Sequence, residues 1–232
     1  MELRRRFFRA VVVLLGFSLT ARAQTPSSSS SSNSAKHIKK PAALAAPALD
    51  AGAVTNGVYR NKSLALSCKI PESWVMRTDE MNDREEEEEQ EGKADSVQSP
   101  PAASSAGAKV LLAAFSRPPD ARAEDVNSSI LIAAESVANY PGLKDAAQYF
   151  GPLTEVAQAQ GLTMDEDPYD TAVGTKTLVR GDFHKDIGSR VMHQSTLTML
   201  SHGYAISITI IAGTEDEVEE LIDGLTFSVI GK

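Results

Sequence analysis

The clearest pattern of apolar and polar positions lies in the last third of the chain. Residues 190–201 and 204–212 are rich in β-branched and apolar residues, as strands are. Between them stands His202-Gly203, which predicts a two-residue hairpin turn. In that register Ser201 faces Tyr204, and the isoleucines of the second strand share a face with Leu197 and Met199. One face of this hairpin is therefore expected to be buried.

A helix is predicted directly after the hairpin. Thr214-Glu-Asp-Glu217 has the spacing of a capping box, in which the threonine side chain accepts a hydrogen bond from the third following amide and the glutamate reaches back. Val218, Leu221, Ile222 and Leu225 then follow at positions i, i+3, i+4 and i+7. One stripe of this helix is expected to pack on the sheet.

Upstream segments complete a predicted α+β domain. Residues 109–115 and 129–137 are apolar on both faces, as central strands are, and residues 57–61, 64–70 and 173–184 also read as strands. Residues 143–160 have helical character, which Gly151-Pro152 is expected to split into two short helices. The fold predicted from these elements is a single antiparallel β-sheet flanked by helices, an α-β-α sandwich.

The N-terminus has the three parts of an export signal. Arginines at positions 4, 5, 6 and 9 precede an apolar run at residues 10–19, and Ala21-Arg22-Ala23 matches the small-x-small cleavage pattern. The run is too short to cross a hydrocarbon core of about 30 Å. We therefore expect cleavage before Gln24 and a periplasmic or secreted protein. The general and the twin-arginine export routes both stay open.

Two low-complexity segments divide the rest of the chain. Residues 24–55 form a Ser/Ala/Pro-rich segment that is expected to be a disordered linker. Residues at about 80–107 form an acidic insertion with five consecutive glutamates, which is also expected to be disordered. Residues 56–232 are therefore predicted to be one domain that this insertion interrupts. No later stretch has 18 consecutive apolar residues, so no membrane span is expected in the mature chain.

Charge and cysteine content exclude several classes of protein. The chain carries a formal net charge of −8, and the predicted signal accounts for five arginines and one glutamate, so cleavage leaves −12. An acidic chain without a basic face is a poor partner for nucleic acid. Cys68 is the single cysteine, so no internal disulfide forms, and its place in an alternating strand predicts a small buried apolar side chain.

The order of elements resembles the PsbP-like and Mog-like superfamily, together with exported bacterial domains of unknown function. The resemblance is carried by Gly57-Val-Tyr-Arg-Asn61 and Pro71-Glu-Ser-Trp74 near the start, and by Gly203-Tyr-Ala-Ile-Ser-Ile208 with the following helix near the end. It covers about residues 56–230. It implies an α-β-α sandwich and mostly non-catalytic roles, and it supplies no catalytic residues.

Candidate chemistry is confined to one predicted hairpin. The sequence contains no Gly-x-Ser-x-Gly, no phosphate-binding loop and no His-Glu-x-x-His. His184, His193 and Asp182 flank the turn at residues 185–189, and metal binding or acid–base chemistry would require their side chains to converge. Strand histidines paired with structural neighbours are commoner, so these three are low-ranking binding candidates. No cofactor, metal or catalytic residue is assigned.

The function expected from the sequence is an exported, non-catalytic binding or accessory domain of the cell envelope. Its partner would be an envelope protein or a small ligand. The alternative is an uncharacterised hydrolase or metal-dependent enzyme with a site around the 180–193 hairpin. That alternative requires at least two of His184, His193, Asp182 and Arg180 within hydrogen-bond distance in a cleft.

Overall fold

The computed structural model describes residues 49–84, 109–119, 121 and 125–228. Twelve strands and three helices lie in this part of the chain, with short 3-10 turns at Val137–Asn139 and Ala147–Tyr149. The strands are β1 Ala53–Thr55, β2 Val58–Asn61, β3 Leu66–Lys69, β4 Val75–Met76, β5 Lys109–Phe115, β6 Ser129–Ser136, β7 Thr163–Met164, β8 Tyr169–Val173, β9 Lys176–Ile187, β10 Arg190–Ser201, β11 Tyr204–Ala212 and β12 Leu225–Phe227. The helices are α1 at residues 78–84, α2 Phe150–Ala159 and α3 Glu215–Asp223.

The prediction of a single antiparallel sheet flanked by helices, an α-β-α sandwich, is wrong. The described chain is mostly β and forms two antiparallel sheets. The small sheet has the order β1-β2-β3-β12, and the large sheet has the order β4-β5-β6-β11-β10-β9-β7, with β8 also paired to β9. Strand β12 closes the small sheet by placing Leu225 opposite Cys68 and Phe227 opposite Leu66. Local periodicity does not reveal such a long-range pairing.

The main hydrophobic core lies between the two sheets and α3. Leu66 and Phe227 from the small sheet, Ile206 and Ile208 from the large sheet, and Leu221 from α3 belong to one cluster of buried side chains. Each sheet contributes the alternate positions of its strands, as the pleat requires. The helix α3 therefore packs against strands of both sheets.

The predicted C-terminal hairpin is confirmed. Strand β10 pairs with β11 from His193 opposite Ala212 to Ser201 opposite Tyr204. His202 and Gly203 both have positive φ, at 53° and 80°, which is the backbone of a type I′ turn. This turn fixes the strand register, and in that register one face of the hairpin is buried.

The cap of α3 is also confirmed, although its helical stripe is shorter than predicted. Thr214 Oγ1 accepts a hydrogen bond from the Glu217 amide at 3.2 Å. Glu217 reaches back to the Gly213 amide at 3.3 Å, one residue beyond the expected partner. The helix ends at Asp223, so that Leu225 is buried as part of β12 rather than as a turn of the helix.

Gly151-Pro152 does not split the helical segment. Helix α2 begins at Phe150, directly after the 3-10 turn at Ala147–Tyr149, and Pro152 lies in its first turn. The first turn has no intrahelical acceptors for its amides, so a proline there loses no hydrogen bond. The residues therefore mark a helix start, not a break.

Several predicted boundaries differ from the boundaries that the structure shows. Strand β1 and residues 49–52 lie within the predicted linker, and α1 includes residues 80–84 of the predicted acidic insertion. Residues 173–184 are not one strand, because β8 ends at Val173 and β9 begins at Lys176 after a turn at Gly174. The predicted signal at residues 1–23, most of the linker and residues 85–108 lie outside the described residues.

Candidate functional site

The structure places the two candidate histidines directly opposite each other. In the antiparallel pairing of β9 with β10, His184 lies opposite His193 and Asp182 lies opposite Ser195. All three candidates therefore share one face of the large sheet. A small pocket of about 210 Å³ lies on this face, and its lining includes Asp182 and His193.

Each histidine faces a carboxylate from a neighbouring element. His184 Nδ1 contacts Asp165 Oδ1, which follows β7 in the chain. His193 Nδ1 lies 3.7 Å from Oε1 of Glu215, the first residue of α3. The elements on both sides of the hairpin thus each supply one carboxylate.

Asp182 belongs to a different network, centred on Arg180. Arg180 Nε donates to Asp182 Oδ1 at 2.9 Å, and Arg180 Nη2 donates to Glu219 Oε1 at 2.5 Å. The second carboxylate oxygen of Asp182 accepts a hydrogen bond from the Tyr169 hydroxyl at 2.8 Å. These contacts occupy both oxygens of Asp182 and tie β9, β8 and α3 together.

The titration of this network follows from its contacts. Burial, the hydrogen bond to Asp182 and the charge of Asp182 raise the pKa of Tyr169 to about 12. Burial alone lowers the pKa of Arg180, but the hydrogen bonds with Glu219 and Asp182 outweigh it and raise the pKa overall. Both groups therefore keep their protons at neutral pH, as structural partners do.

The predicted cluster is thus brought together only in part. The two histidines occupy directly opposite strand positions, whereas Asp182 is engaged by Arg180 and Tyr169. Within residues 49–84, 109–119, 121 and 125–228, no three side chains of His, Cys, Asp or Glu lie where they would share one metal ion. His202 lies in the β10–β11 turn and contacts Ser201 Oγ at 2.8 Å.

A larger concave surface, which the sequence analysis missed, lies where the edges of the two sheets approach each other. This edge groove has a volume of about 590 Å³. Its lining includes Val54 of β1, Met76 of β4, Asn82 of α1 and Leu112 of β5. Such a volume is typical of small-molecule and peptide sites.

The edge groove carries most of the exposed apolar side chains of the described residues. Among the described residues, the large apolar side chains that are exposed are Val54, Met76 and Val191, at 42%, 38% and 36%. Val54 and Met76 both line the groove, whereas Val191 lies on β10. Clustered exposed apolar residues mark contact surfaces more often than scattered ones do.

The β1 wall of the groove is fixed by polar contacts behind it. The Tyr59 hydroxyl donates to the carbonyl of Ala51 at 2.9 Å, and Asn61 Nδ2 donates to the carbonyl of Asp50 at 2.6 Å. Gly52 has φ of +75°, and a Cβ there would lie 2.5 Å from the Tyr59 ring. A glycine is therefore required where this segment crosses Tyr59. Among the described strands, β2 alone pairs with β1, which leaves the other edge of β1 toward solvent.

A buried carboxyl group, also missed, lies on the opposite face of the large sheet. Glu135 of β6 accepts hydrogen bonds from the Tyr140 hydroxyl and, at 2.8 Å, from the Tyr149 hydroxyl. The two tyrosine rings meet edge to face at 5.2 Å. Burial raises the pKa of Glu135, and the two hydroxyl donors partly offset that effect. The sequence feature that could have indicated this group is a glutamate within residues 129–137, a segment that is otherwise apolar on both faces.

Cys68 is buried, as predicted. It is 0% exposed and belongs to the main core, and burial raises the pKa of its thiol to about 12. A thiol in this environment is not activated as a nucleophile.

No family model and no curated protein matches the chain. The resemblance to the PsbP-like and Mog-like superfamily therefore stays a prediction, and the two-sheet fold differs from the sandwich that it implied. None of the helices in the described part of the chain has the length and apolar content for a membrane crossing.

Solved structures show a weak likeness. A protein of unknown function from Pseudomonas aeruginosa has a TM-score of 0.33 at 12% identity, covering 49% of this chain and 78% of its own. LpqN, involved in cell envelope biogenesis of Mycobacterium tuberculosis, has a TM-score of 0.34 at 13% identity, covering 71% and 83%. A Bacteroides thetaiotaomicron protein has a TM-score of 0.34 at 11% identity, covering 72% and 46%. At these TM-scores the likeness carries no argument about function.

Proposed function

We propose that this chain is an exported, non-catalytic binding domain of the cell envelope, and that its contact surface is the edge groove. The observation that carries the proposal is the placement of Val54 and Met76 in one groove. Val54 and Met76 are 42% and 38% exposed, so covering each one yields less than half of the roughly 1.5–3 kcal/mol that burial of a whole apolar side chain gives. The predicted export signal supports the location.

The groove suits a partner with both apolar and charged groups. Arg77 forms an ion pair with Glu80 at 2.5 Å at the rim, and Lys109 and Asp79 also line the groove. A polar rim around an apolar centre is the usual arrangement of a protein contact. An envelope protein and a small amphipathic ligand both fit this description.

The competing hypothesis, an enzyme around the 180–193 hairpin, has less geometric support. Arg180 and Asp182 do lie within hydrogen-bond distance, but each also bonds a further structural partner, Glu219 and Tyr169 respectively. An acid–base pair needs a group that is available to the substrate.

Position-specific cross-linking tests the contact surface. A photoreactive amino acid is introduced at Val54 or Met76 in the full chain, with Val191 as the matched control, because Val191 is similarly exposed but lies outside the groove. We expect one discrete adduct from positions 54 and 76 in intact cells, and none from position 191. A Val54→Lys substitution should remove the adduct from position 76.

Two results would count against the proposal. Equal adducts from all three positions would mean that contact does not select the groove. No adduct at positions 54 and 76 in a correctly exported protein would mean that the groove is not a contact surface. Export is checked separately by cell fractionation, together with the mass of the mature chain, which should begin at Gln24.

A further inference from the structure

The histidine pair has a geometry that suits metal coordination. Strands β9 and β10 are joined by a two-residue turn, so that Ile187 and Arg190 close the hairpin as a hydrogen-bonded pair. Pair types alternate along an antiparallel ladder, which makes His184 and His193 a non-hydrogen-bonded pair. At such a pair the Cα atoms are about 4.5 Å apart and the side chains approach most closely.

In each of the two imidazoles, Nδ1 lies beside a carboxylate from a neighbouring element. Nδ1 of His184 faces the Asp165 carboxylate, and Nδ1 of His193 lies 3.7 Å from the Glu215 carboxylate. An imidazole that donates from Nδ1 to a carboxylate, as His184 does to Asp165, keeps the lone pair on Nε2. Carboxylate partners of this kind orient metal-binding histidines and increase their basicity. The 3.7 Å between His193 Nδ1 and Glu215 is an ion-pair distance and too long for a hydrogen bond.

The spacing and the access of the pair are compatible with one ion. A tetrahedral ion with metal–nitrogen bonds of about 2.0–2.1 Å holds two nitrogens about 3.4 Å apart. The Cβ atoms of directly opposed residues lie about 4.5–5.5 Å apart, a separation from which two imidazole side chains can bring their nitrogens to one ion. The side chains of His184 and His193 are 39% and 20% exposed, so both can be reached from solvent. The adjoining pocket of about 210 Å³ is lined by His193 and Asp165, whereas His184 lies outside its lining.

We propose that His184 and His193 bind a divalent transition-metal ion through Nε2, with Asp165 as the orienting partner of His184. Two imidazole ligands select a borderline ion such as Zn²⁺ over Ca²⁺ or Mg²⁺, which prefer oxygen. Because no third His, Cys, Asp or Glu ligand lies within reach among the described residues, water completes the coordination. The site is independent of the edge groove and of the proposed function.

Calorimetric titration of the metal-free full chain with Zn²⁺ tests the site. The chain has four histidines, so each can be replaced in turn. His184→Gln and His193→Gln should each lower Zn²⁺ affinity at least tenfold, while His202→Gln and His37→Gln should leave it unchanged. Asp165→Asn should lower it by about ten- to a hundredfold, the usual effect of losing an orienting partner. Glu215→Gln should have a smaller effect, because Glu215 is exposed and makes no hydrogen bond to His193.

A thermal measurement guards against misfolded variants. Zn²⁺ should raise the Tm of the wild-type chain, because a ligand that binds the native state stabilises it, and should not raise the Tm of His184→Gln or His193→Gln. The metal-free Tm of each variant shows that it folds. The proposal is overturned if the wild-type chain binds no Zn²⁺, or if His202→Gln or His37→Gln weakens binding as much as the hairpin variants do.

Discussion

The side-chain amide of Asn82 pairs with both backbone polar groups of Val110. Asn82 Nδ2 donates to the Val110 carbonyl at 3.0 Å, and the Val110 amide donates to Asn82 Oδ1 at 3.0 Å. Thr78 Oγ1 accepts from the Ala113 amide further along the same edge at 3.0 Å. Side chains of α1 therefore take the place of a neighbouring strand along β5, which protects an edge that would otherwise invite pairing with another chain.

Replacing Asn82 by alanine should destabilise the fold. Val110 is buried, so its amide and carbonyl lose their partners, and an unsatisfied buried polar group costs about 1–3 kcal/mol. We expect the free energy of unfolding in urea to fall by about 2 kcal/mol, with concentration-dependent self-association through the uncovered edge. Asp83→Ala, an exposed change on the same helix, should stay within about 0.5 kcal/mol. Equal effects of the two substitutions would refute the edge role of Asn82.

Gly181→Ala should be destabilising because of a single close neighbour. A Cβ at Gly181 would lie 2.5 Å from Cε1 of the buried Phe150 ring, and the φ of Gly181 lies outside the left-handed region. The cost is therefore steric and amounts to about 1–3 kcal/mol, as for other overpacked sites. Thermal or urea unfolding measures it.

Two further variants isolate this steric origin. Gly151→Ala on α2, where a Cβ meets no neighbour within 4 Å, should be neutral or stabilising by up to about 1 kcal/mol. Phe150→Leu, which shortens the ring's reach, should make Gly181→Ala less costly than in the wild-type chain. Additive costs in the double variant would speak against the contact.

Glu135 should make stability depend on pH in an unusual direction. Burial raises its pKa in the folded state above its unfolded value of about 4.3. Its contribution to stability is therefore fully present below that unfolded value and is lost as pH rises through the folded pKa. A wild-type chain should thus lose stability over this window relative to a Glu135→Gln variant, which cannot ionise at this position.

The difference between these two chains is the informative quantity, because other carboxyl groups titrate in both. Urea unfolding at several pH values between about 4 and 8 should show the stability of wild type relative to Glu135→Gln declining as pH rises. Glu155→Gln, an exposed change on α2, should give a difference that is flat with pH. A flat difference for Glu135→Gln as well would contradict the raised pKa.

Cys68 should react with thiol reagents only after unfolding. It is the single cysteine of the chain, it is 0% exposed, and burial raises its pKa to about 12, so both access and thiolate are lacking near pH 8. Maleimide labelling followed by mass spectrometry should give no adduct in native buffer and complete labelling in urea. Rapid stoichiometric labelling of the native chain would show that the small sheet opens at β3.

Short-range patterns predicted the parts of this protein that depend on neighbouring residues. The β10–β11 hairpin came out in its predicted register because His202-Gly203 fixes the turn and one register buries the isoleucines. Thr214 caps α3 because a hydroxyl and an amide three residues apart meet in any helix start. The burial of Cys68 followed from simple alternation along β3.

Short-range patterns predicted only part of the candidate site around His184 and His193. His184 and His193 flank one turn, so their proximity was within reach of the sequence, although their pairing required the register of β9 and β10. The partners Asp165 and Glu215 come from separate elements. Arg180 draws Asp182 away from the histidines through a side-chain contact that periodicity does not encode.

What the sequence determined by itself is therefore local: the hairpin, the helix cap and the alternating strands. Tertiary structure decided that the strands form two sheets, since β12 pairs with β3 across more than 150 residues. It also decided that α1 closes the edge of β5 and that a groove lined by both polar and apolar residues opens beside it. Hydrogen bonding in a sheet joins strands regardless of their separation in sequence, so the partner of an edge is chosen only when the whole chain has packed.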